Sequence, residues 1–192
     1  MPRSPRQRMI ESATLLIRER GVEATSFSDV IVASGAPRGS IYHYFPGGKA
    51  QLVEEATRHG ADFIVDSMCR ALDGRDTVAA LEVFAAWYYT LLRDFDYSAG
   101  CPLMAAAIEG GRSPGASAEA ADGFDRWERT IAEALTRDGV AGPRATQIAA
   151  LAVASMEGAL AMCRAKRSAE PFDQVISQLQ AVIRDATGHR ST

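Results

Sequence analysis

Glycine and proline interrupt this sequence at intervals of one helix length. The breaks lie at Gly21, 34–37, 45–48, 73–74, Gly100, 110–111, 139–143 and 170–171. Between them Ala and Leu are abundant, and no Asn-Gly or Asp-Gly pair sits between alternating apolar residues as a hairpin would require. The sequence therefore predicts an all-α fold of about nine helices: 5–20, a two-turn helix after Ser26, 37–45, 49–72, 76–96, 102–109, 116–138, 143–167 and 171–186.

Composition predicts a soluble protein. Hydrophobic residues make up 47% of the chain and charged residues 23%, which is typical of a globular domain. The longest apolar run, 148–156, is about half of what a helix needs to cross a bilayer. The apolar stretch near the N-terminus is broken by Glu11 and Arg18. We expect no membrane segment, no signal peptide and a cytoplasmic location.

Cysteine and histidine are too dispersed to predict a metal site. Cys69, Cys101 and Cys163 lie far apart without a Cys-x-x-Cys pair, and the chain has three histidines. We expect reduced thiols, no metal and no cofactor, with an intermolecular disulfide as the alternative. Walker, dinucleotide-binding and His-Glu-x-x-His patterns are missing from the sequence, which argues against an enzyme.

The net charge hides an asymmetry. The whole chain carries −3, but residues 1–50 hold seven Lys or Arg against four acids and carry +3, which leaves −6 for the rest. A basic N-terminal segment joined to an acidic body favours contact of one end with an anionic surface such as phosphate, while the other end is repelled.

Two short helices follow the first one. Ser26 precedes an apolar segment and Asp29 follows three residues later, which is the spacing of a capping box. The next helix ends at 45–48, where Pro46 and two glycines cannot continue it. Because helices this short do not stand alone, we expect both to pack on the apolar face of the first helix, formed by Met9, Ala13, Leu16 and Ile17.

The segment 25–45, followed by Lys49 and Leu52, resembles the DNA-binding domain of the TetR family of transcriptional regulators over residues 5–52. The resemblance rests on a capped two-turn helix, a Ser-Gly turn, the pattern Gly-Ser-Ile-Tyr-x-Tyr-Phe and a lysine just after it. It implies a helix-turn-helix DNA-binding domain over 1–50 and a helical ligand-binding and dimerisation domain over 51–192.

The third helix has two predicted faces. Ile41 and Phe45, four residues apart, are expected to bury against the first two helices. The other face would enter a major groove and carries Arg38, Gly39, Tyr42 and His43. Arg38 can donate two hydrogen bonds to a guanine edge, and Gly39 lets the backbone come close. The resemblance places five further residues near phosphates: Thr25, Ser26, Ser40, Tyr44 and Lys49.

Simpler interpretations of these residues stay open. Arg38 is also explained as a solvated surface charge, and Tyr42 and Tyr44 as core aromatics. His43 has no second ligand at metal-binding spacing. The N-terminal arginines either contact phosphate or a minor groove, or form a frayed tail.

A narrower resemblance covers 36–49 together with the segment 100–103, Gly-Cys-Pro-Leu. These segments are similar to the LmrA/YxaF-type branch of TetR regulators. That branch is associated with drug-resistance and efflux genes, so the resemblance implies control of such genes here. Residues 53–192 match the family mainly in helical layout.

Aromatic residues recur at helical spacing on the fifth and seventh helices. As a set they are candidates to line an apolar pocket for a small hydrophobic effector, together with one methionine: Phe84, Trp87, Tyr88, Met104, Phe124 and Trp127. A plain hydrophobic core explains the same pattern.

The eighth helix is apolar on nearly all sides over 148–162, so it must be covered all round. In the TetR family the last two long helices form a four-helix bundle with their mates, and the apolar stripe of the ninth helix suits that arrangement. Burial within one subunit is the alternative. A two-fold homodimer would bind a palindromic DNA operator with half-sites about one helical turn or slightly more apart.

Together these patterns predict a ligand-responsive transcriptional repressor that leaves its operator when the effector binds. The competing interpretation is a DNA-binding or protein-interaction module that ignores ligands and whose aromatic set is solid core.

Overall fold

The computed structural model describes residues 4–37, 39–109 and 113–188, and within these ranges it contains helices and no strands. The helices described are α1 Pro5–Arg20, α2 Phe27–Ser34, α3 Ser40–Tyr44, α4 Gly48–Leu72, α5 Thr77–Asp94, α6 Pro102–Glu109, α7 Pro114–Arg137, α8 Gly142–Lys166 and α9 Glu170–Ala186. The all-α prediction is confirmed, and every predicted helix except the third begins and ends within about two residues of the observed one.

The third helix is shorter than predicted. It begins at Ser40 rather than at Pro37, because the amide and the hydroxyl of Ser40 both donate to the carbonyl of Pro37, at 3.0 and 2.7 Å. These bonds close a turn ahead of the helix. At the other end the amide of Phe45 donates to the carbonyl of Ile41 at 2.8 Å, so α3 is little more than one turn.

Internal contacts divide the chain into two compact units. The first comprises Met1–Phe63 and Gly100–Gly123, and the second comprises Ile64–Ala99 and Phe124–Thr192. Helices α4 and α7 each supply residues to both units. The boundary predicted at residue 50 separates a DNA-binding domain from a ligand-binding and dimerisation domain. Internal contacts do not test such a functional division, so it stays a prediction.

In the first unit α1 packs against α2, α3 and α6. The apolar face predicted for α1 is buried, which confirms that prediction, and its members are Met9, Ala13, Leu16 and Ile17. Thr14 adds a polar link, since its hydroxyl donates to the carbonyls of Ile10 and Ala56 at 3.0 and 2.9 Å. Helix α1 is therefore the support on which both short helices rest.

A polar cluster fixes the turn after α3. The Nη2 atom of Arg6 lies 2.7 and 2.6 Å from the two carboxylate oxygens of Glu55, and its guanidinium carbon lies 5.3 Å from the ring centre of Phe45. Gln51 donates to Glu55 at 2.9 Å and accepts from the amide of Gly47 at 2.9 Å. The start of α4, the turn and α1 are thereby joined.

In the second unit α9 packs against both α5 and α8. By length and composition α8 is long and apolar enough to cross a membrane. The sequence-based expectation of no membrane segment considered only the shorter run 148–156. Half of its most apolar stretch is buried inside the unit. The other half of that stretch is left uncovered by this single chain.

Candidate nucleic-acid interface

Helix α2 begins with a reciprocal cap. The amide of Asp29 donates to the hydroxyl oxygen of Ser26 at 3.2 Å, while the Asp29 carboxylate accepts from the Ser26 amide at 3.0 Å and from its hydroxyl at 2.5 Å. The predicted capping box is confirmed. These hydrogen bonds hold the pKa of Asp29 below its ordinary value of 3.8. The first turn of α2 is therefore fixed at Ser26.

Helix α3 is held by two buried side chains. Ile41 and Phe45 are fully buried, as the sequence predicts. Between them Tyr42 is 70% exposed and His43 is exposed as well. The interpretation of Tyr42 as a core aromatic is therefore wrong. The predicted burial of Ile41 and Phe45 opposite exposed Tyr42 and His43 is observed.

Tyr42 is oriented by a neighbouring ring that the sequence reasoning missed. Its ring packs edge-on against Phe27, with ring centres 5.5 Å apart and an interplanar angle of 79°. Phe27 is the first residue of α2 and is half-buried. The rings of His43 and the half-buried Tyr44 lie 5.3 Å apart. Edge-on contacts restrict the rings before any partner binds, which lowers the entropy cost of binding.

Gly39 lies at the exposed start of α3. Its φ of −80° is open to any residue, and a β-carbon there would meet nothing within 4 Å. Neither backbone strain nor packing within the described residues therefore requires glycine at this position. The neighbouring Arg38, which the sequence predicts to contact guanine, lies outside the described residues.

Three residues predicted near phosphates form hydrogen bonds within the chain. Thr25 is 3% exposed and its hydroxyl donates to the carbonyl of Gly21 at 2.8 Å. Lys49 Nζ donates to the carbonyl of Glu23 at 3.0 Å, and the hydroxyl of Ser40 donates into its own turn. In this conformation these side chains hold the backbone around α2 and α3, and their contact with phosphate stays a prediction.

Four of the six residues predicted to line an effector pocket lie together in the second unit. The ring centre of Phe84 is 5.5 Å from that of Trp87, 5.2 Å from Tyr88 and 5.8 Å from Trp127. Phe172, a member of the apolar stripe on α9, stacks on Tyr88 with ring centres 5.3 Å apart. Helices α5, α7 and α9 thus share one aromatic cluster.

The other two predicted pocket residues are placed differently. Phe124 is half-buried in the second unit, and Met104 is half-buried on α6 in the first unit. Two cavities in the second unit are lined by other residues: a cleft of about 830 Å³ at the end of α4 and on α7, and a groove of about 280 Å³ on α8 and α9.

Trp127 carries an unusual polar atom. The side chain is fully buried, and its indole Nε1 finds no hydrogen-bond acceptor among the described residues. A buried N–H without an acceptor costs about 1–3 kcal/mol and is rare in native proteins. The aromatic cluster therefore contains one buried donor that no acceptor within the described residues satisfies.

Family models match both parts of the chain. Residues 9–56 match the model of bacterial regulatory proteins of the tetR family, and residues 77–178 match the C-terminal domain of LmrA/YxaF-like transcriptional regulators. The chain belongs to the TetR family. It is a transcriptional regulator and not an enzyme, and the resemblance noted in the sequence is confirmed down to the LmrA/YxaF-like C-terminal domain.

The similarity to known proteins covers nearly the whole length of this TetR-family regulator. The HTH-type regulator Rv0196 of Mycobacterium tuberculosis, itself described as uncharacterized, is 41% identical over 185 residues, which cover 93% of this chain and 94% of the relative. LmrA of Bacillus subtilis is 25% identical, with 93% and 96% covered. A TetR regulator from Legionella pneumophila has the same fold, with a TM-score of 0.84 at 18% identity and coverage of 94% and 97%.

The regulator's cap at α2 gives a first prediction. Replacing Ser26 with alanine removes its hydroxyl, whose hydrogen bond lowers the pKa of Asp29 most, but keeps the backbone amide that also donates to this carboxylate. The pKa of Asp29 should therefore rise part of the way toward 3.8. A carboxyl whose pKa is lowered by folding stabilises the folded state above its ordinary pKa and loses this effect as pH falls through the lowered value. Wild type should therefore lose α2 stability below about pH 3.8, and Ser26→Ala should show a smaller acid-dependent loss.

The measurement is an NMR titration of the Asp29 carboxyl together with thermal unfolding at several pH values. Ser28→Ala, an exposed serine two residues further on, is the matched control and should leave the Asp29 titration unchanged. An unaltered Asp29 pKa in Ser26→Ala would contradict the prediction.

Proposed function

We propose that this regulator represses transcription by binding a palindromic DNA operator as a homodimer, and that a small hydrophobic ligand releases it. The observation that carries the proposal is the pair of faces on α3, with Ile41 and Phe45 buried and Tyr42 and His43 exposed. A major groove admits a helix of this kind and offers hydrogen-bond acceptors and thymine methyl groups to its side chains.

Charge and backbone placement support the same role. Residues 1–50 carry +3 in a chain of net charge −3, so the attraction to phosphate is concentrated at the end that holds α2 and α3. In the proposed complex Arg38 reads a guanine edge and Tyr42 contacts a base or sugar. Gly39 allows the backbone to approach the duplex. Ser26 lies at the start of α2, whose free amides attract phosphate.

Binding to DNA is tested with duplexes that the wild-type protein selects from random sequence. Arg38→Ala should cost about 1–3 kcal/mol and relax specificity at one base position. Tyr42→Ala should weaken binding about tenfold through lost groove contact, whereas Tyr42→Phe keeps the ring and should lose less. Phe63→Ala, an exposed aromatic on α4, is the control and should bind as wild type does. A wild-type dimer that ignores every duplex at low salt would refute the proposal.

The proposed dimer rests on the uncovered side of α8. Between residues 151 and 162 the exposed residues of this helix are all apolar or small, and they recur along one side: Leu151, Ala154, Gly158, Ala161 and Met162. The groove on α8 and α9 continues this surface and contains Pro171, Val175 and Val182. Small residues permit close approach of a second helix pair, and burial of the exposed apolar area supplies the driving force.

The dimer is tested by placing a charge on this surface. Leu151→Glu should raise the dimer dissociation constant by about 100-fold or more, because an unpaired carboxylate would be buried in the interface. Val83→Glu, at a side chain 42% exposed on α5, is matched to Leu151, which is 49% exposed. Sedimentation should show a monomer for the first variant and a dimer for the second. Two dimers would exclude this interface.

The effector site is proposed at the aromatic cluster of the second unit. Apolar walls with one unpaired donor are typical of small-molecule sites, and Trp127 Nε1 supplies that donor. In the proposed mechanism the ligand favours a conformer in which α4 moves the two DNA-binding ends of the dimer apart. A coupling free energy of about 1–3 kcal/mol would then weaken operator binding by roughly 5–150-fold.

Ligand response is tested by titrating hydrophobic compounds into the operator complex while tryptophan fluorescence is followed. Compounds that quench Trp87 and Trp127 should lower operator affinity within that range, and Phe84→Ala should alter their binding. Tight binders that leave the DNA affinity unchanged would refute the mechanism. A cluster that takes up neither xenon nor dye would instead favour the interpretation as solid core.

The regulated genes are proposed to serve efflux or drug resistance. This proposal follows from the LmrA/YxaF-like C-terminal domain and from the association that the sequence resemblance implies.

A further inference from the structure

The loop 21–26 between α1 and α2 determines where α2 begins. Gly21 ends α1 with a φ of +89°, and its amide donates to the carbonyl of Ile17 at 2.9 Å. Thr25 closes the loop by donating to the carbonyl of Gly21 at 2.8 Å. Ser26 then caps α2, so a displacement of this loop displaces the first turn of α2.

Glu23, in the middle of the loop, is held through both of its backbone polar groups. Its amide donates to Oε2 of Glu109, the last residue of α6, at 2.7 Å. Its carbonyl accepts from Lys49 Nζ on α4 at 3.0 Å. Hydrogen bonds in which one partner is charged are stronger than neutral ones, so both contacts restrain the loop.

The carboxylate of Glu109 fits against the loop closely. A β-carbon at Gly21 would overlap Oε1 of Glu109, so the carboxylate lies directly against the glycine, whose φ of +89° other residues rarely adopt. An acid in the last turn of a helix is disfavoured by the helix dipole, and α6 has no basic residue there to compensate. The contact with the loop offsets that unfavourable placement.

The beginning of α6 is attached to the same part of the unit. The amide of Gly100 donates to the carbonyl of Arg18 at 2.7 Å, and Arg18 Nε donates to the carbonyl of Gly100 at 3.1 Å. Helix α6 is therefore joined to the end of α1 just before its first residue and to the following loop at its last residue.

We infer that Glu109 is a positioning residue for DNA binding, which fixes the loop 21–26 and with it the capped start of α2 by accepting the Glu23 amide. The inference rests on the proposed binding of an operator through α2 and α3. It predicts the opposite of a simple charge effect. Because a carboxylate repels phosphate, removing it should by charge alone strengthen DNA binding, whereas loss of the positioning contact weakens it.

The experiment uses full-length Glu109→Ala and Glu109→Gln with the duplex that the wild-type protein selects from random DNA. Glu109→Ala should bind about five- to tenfold more weakly, and the Glu23 amide should exchange hydrogen faster by NMR. Glu109→Gln removes the charge but keeps an acceptor oxygen, so it should bind at least as tightly as wild type with the amide protected. Ile108→Ala, at the adjacent exposed side chain, is the control and should match wild type in both measurements.

Thermal unfolding of each variant separates a local effect from loss of the fold. Tighter DNA binding by Glu109→Ala would identify the residue as a repelling charge and overturn the inference, as would an equal loss of affinity in the alanine and glutamine variants. Exchange is measured without DNA. An unchanged Glu23 amide in Glu109→Ala therefore overturns the inference, whereas failure of the wild-type protein to bind any duplex overturns the proposed function.

Discussion

The burial of Ile41 and Phe45 is the interaction on which the DNA-binding proposal depends. A helix of five residues gains too few backbone hydrogen bonds to offset its nucleation cost, so α3 exists because its inner side chains are covered. Full burial of each is worth about 1.5–3 kcal/mol relative to exposure. The stacking of Arg6 over Phe45 joins this core to α1, and the ion pair of Arg6 with Glu55 extends the link to α4. Tyr42 and His43 face outward because their neighbours in sequence face inward.

Polar contacts, in addition to burial, fix the residue at which α2 begins. The capping box starts the helix at Ser26, and the loop before it is held by Glu109 of α6 and Lys49 of α4. The side chains of Thr25 and Lys49, which family resemblance associates with phosphate, hold backbone groups in this conformation. Thr25 and Lys49, which the resemblance assigns to DNA contact, therefore also hold the DNA-binding surface in place.

The second unit shows how one helix can have two environments. One half of the most apolar stretch of α8 is covered within the chain and the other half is not, and a helix that is apolar on all sides is stable only when it is covered all round. The aromatic cluster on α5, α7 and α9 is largely buried, yet Trp127 Nε1 has no acceptor among the described residues. Under the proposed function the exposed apolar side of α8 is the dimer surface and the indole donor faces the effector.

The sequence by itself determined the helices, the capping box and the two faces of α3, because each follows from residues within about four positions of one another. The tertiary structure decided the inward direction of Thr25, the reach of Lys49 to Glu23 and the contact of Glu109 with the loop before α2. It also placed Phe27 against Tyr42 and left Trp127 Nε1 with no acceptor within the part of the chain that the structure describes. These features depend on distances between segments that local periodicity does not encode: the carboxylate that holds the Glu23 amide lies 86 residues away along the chain.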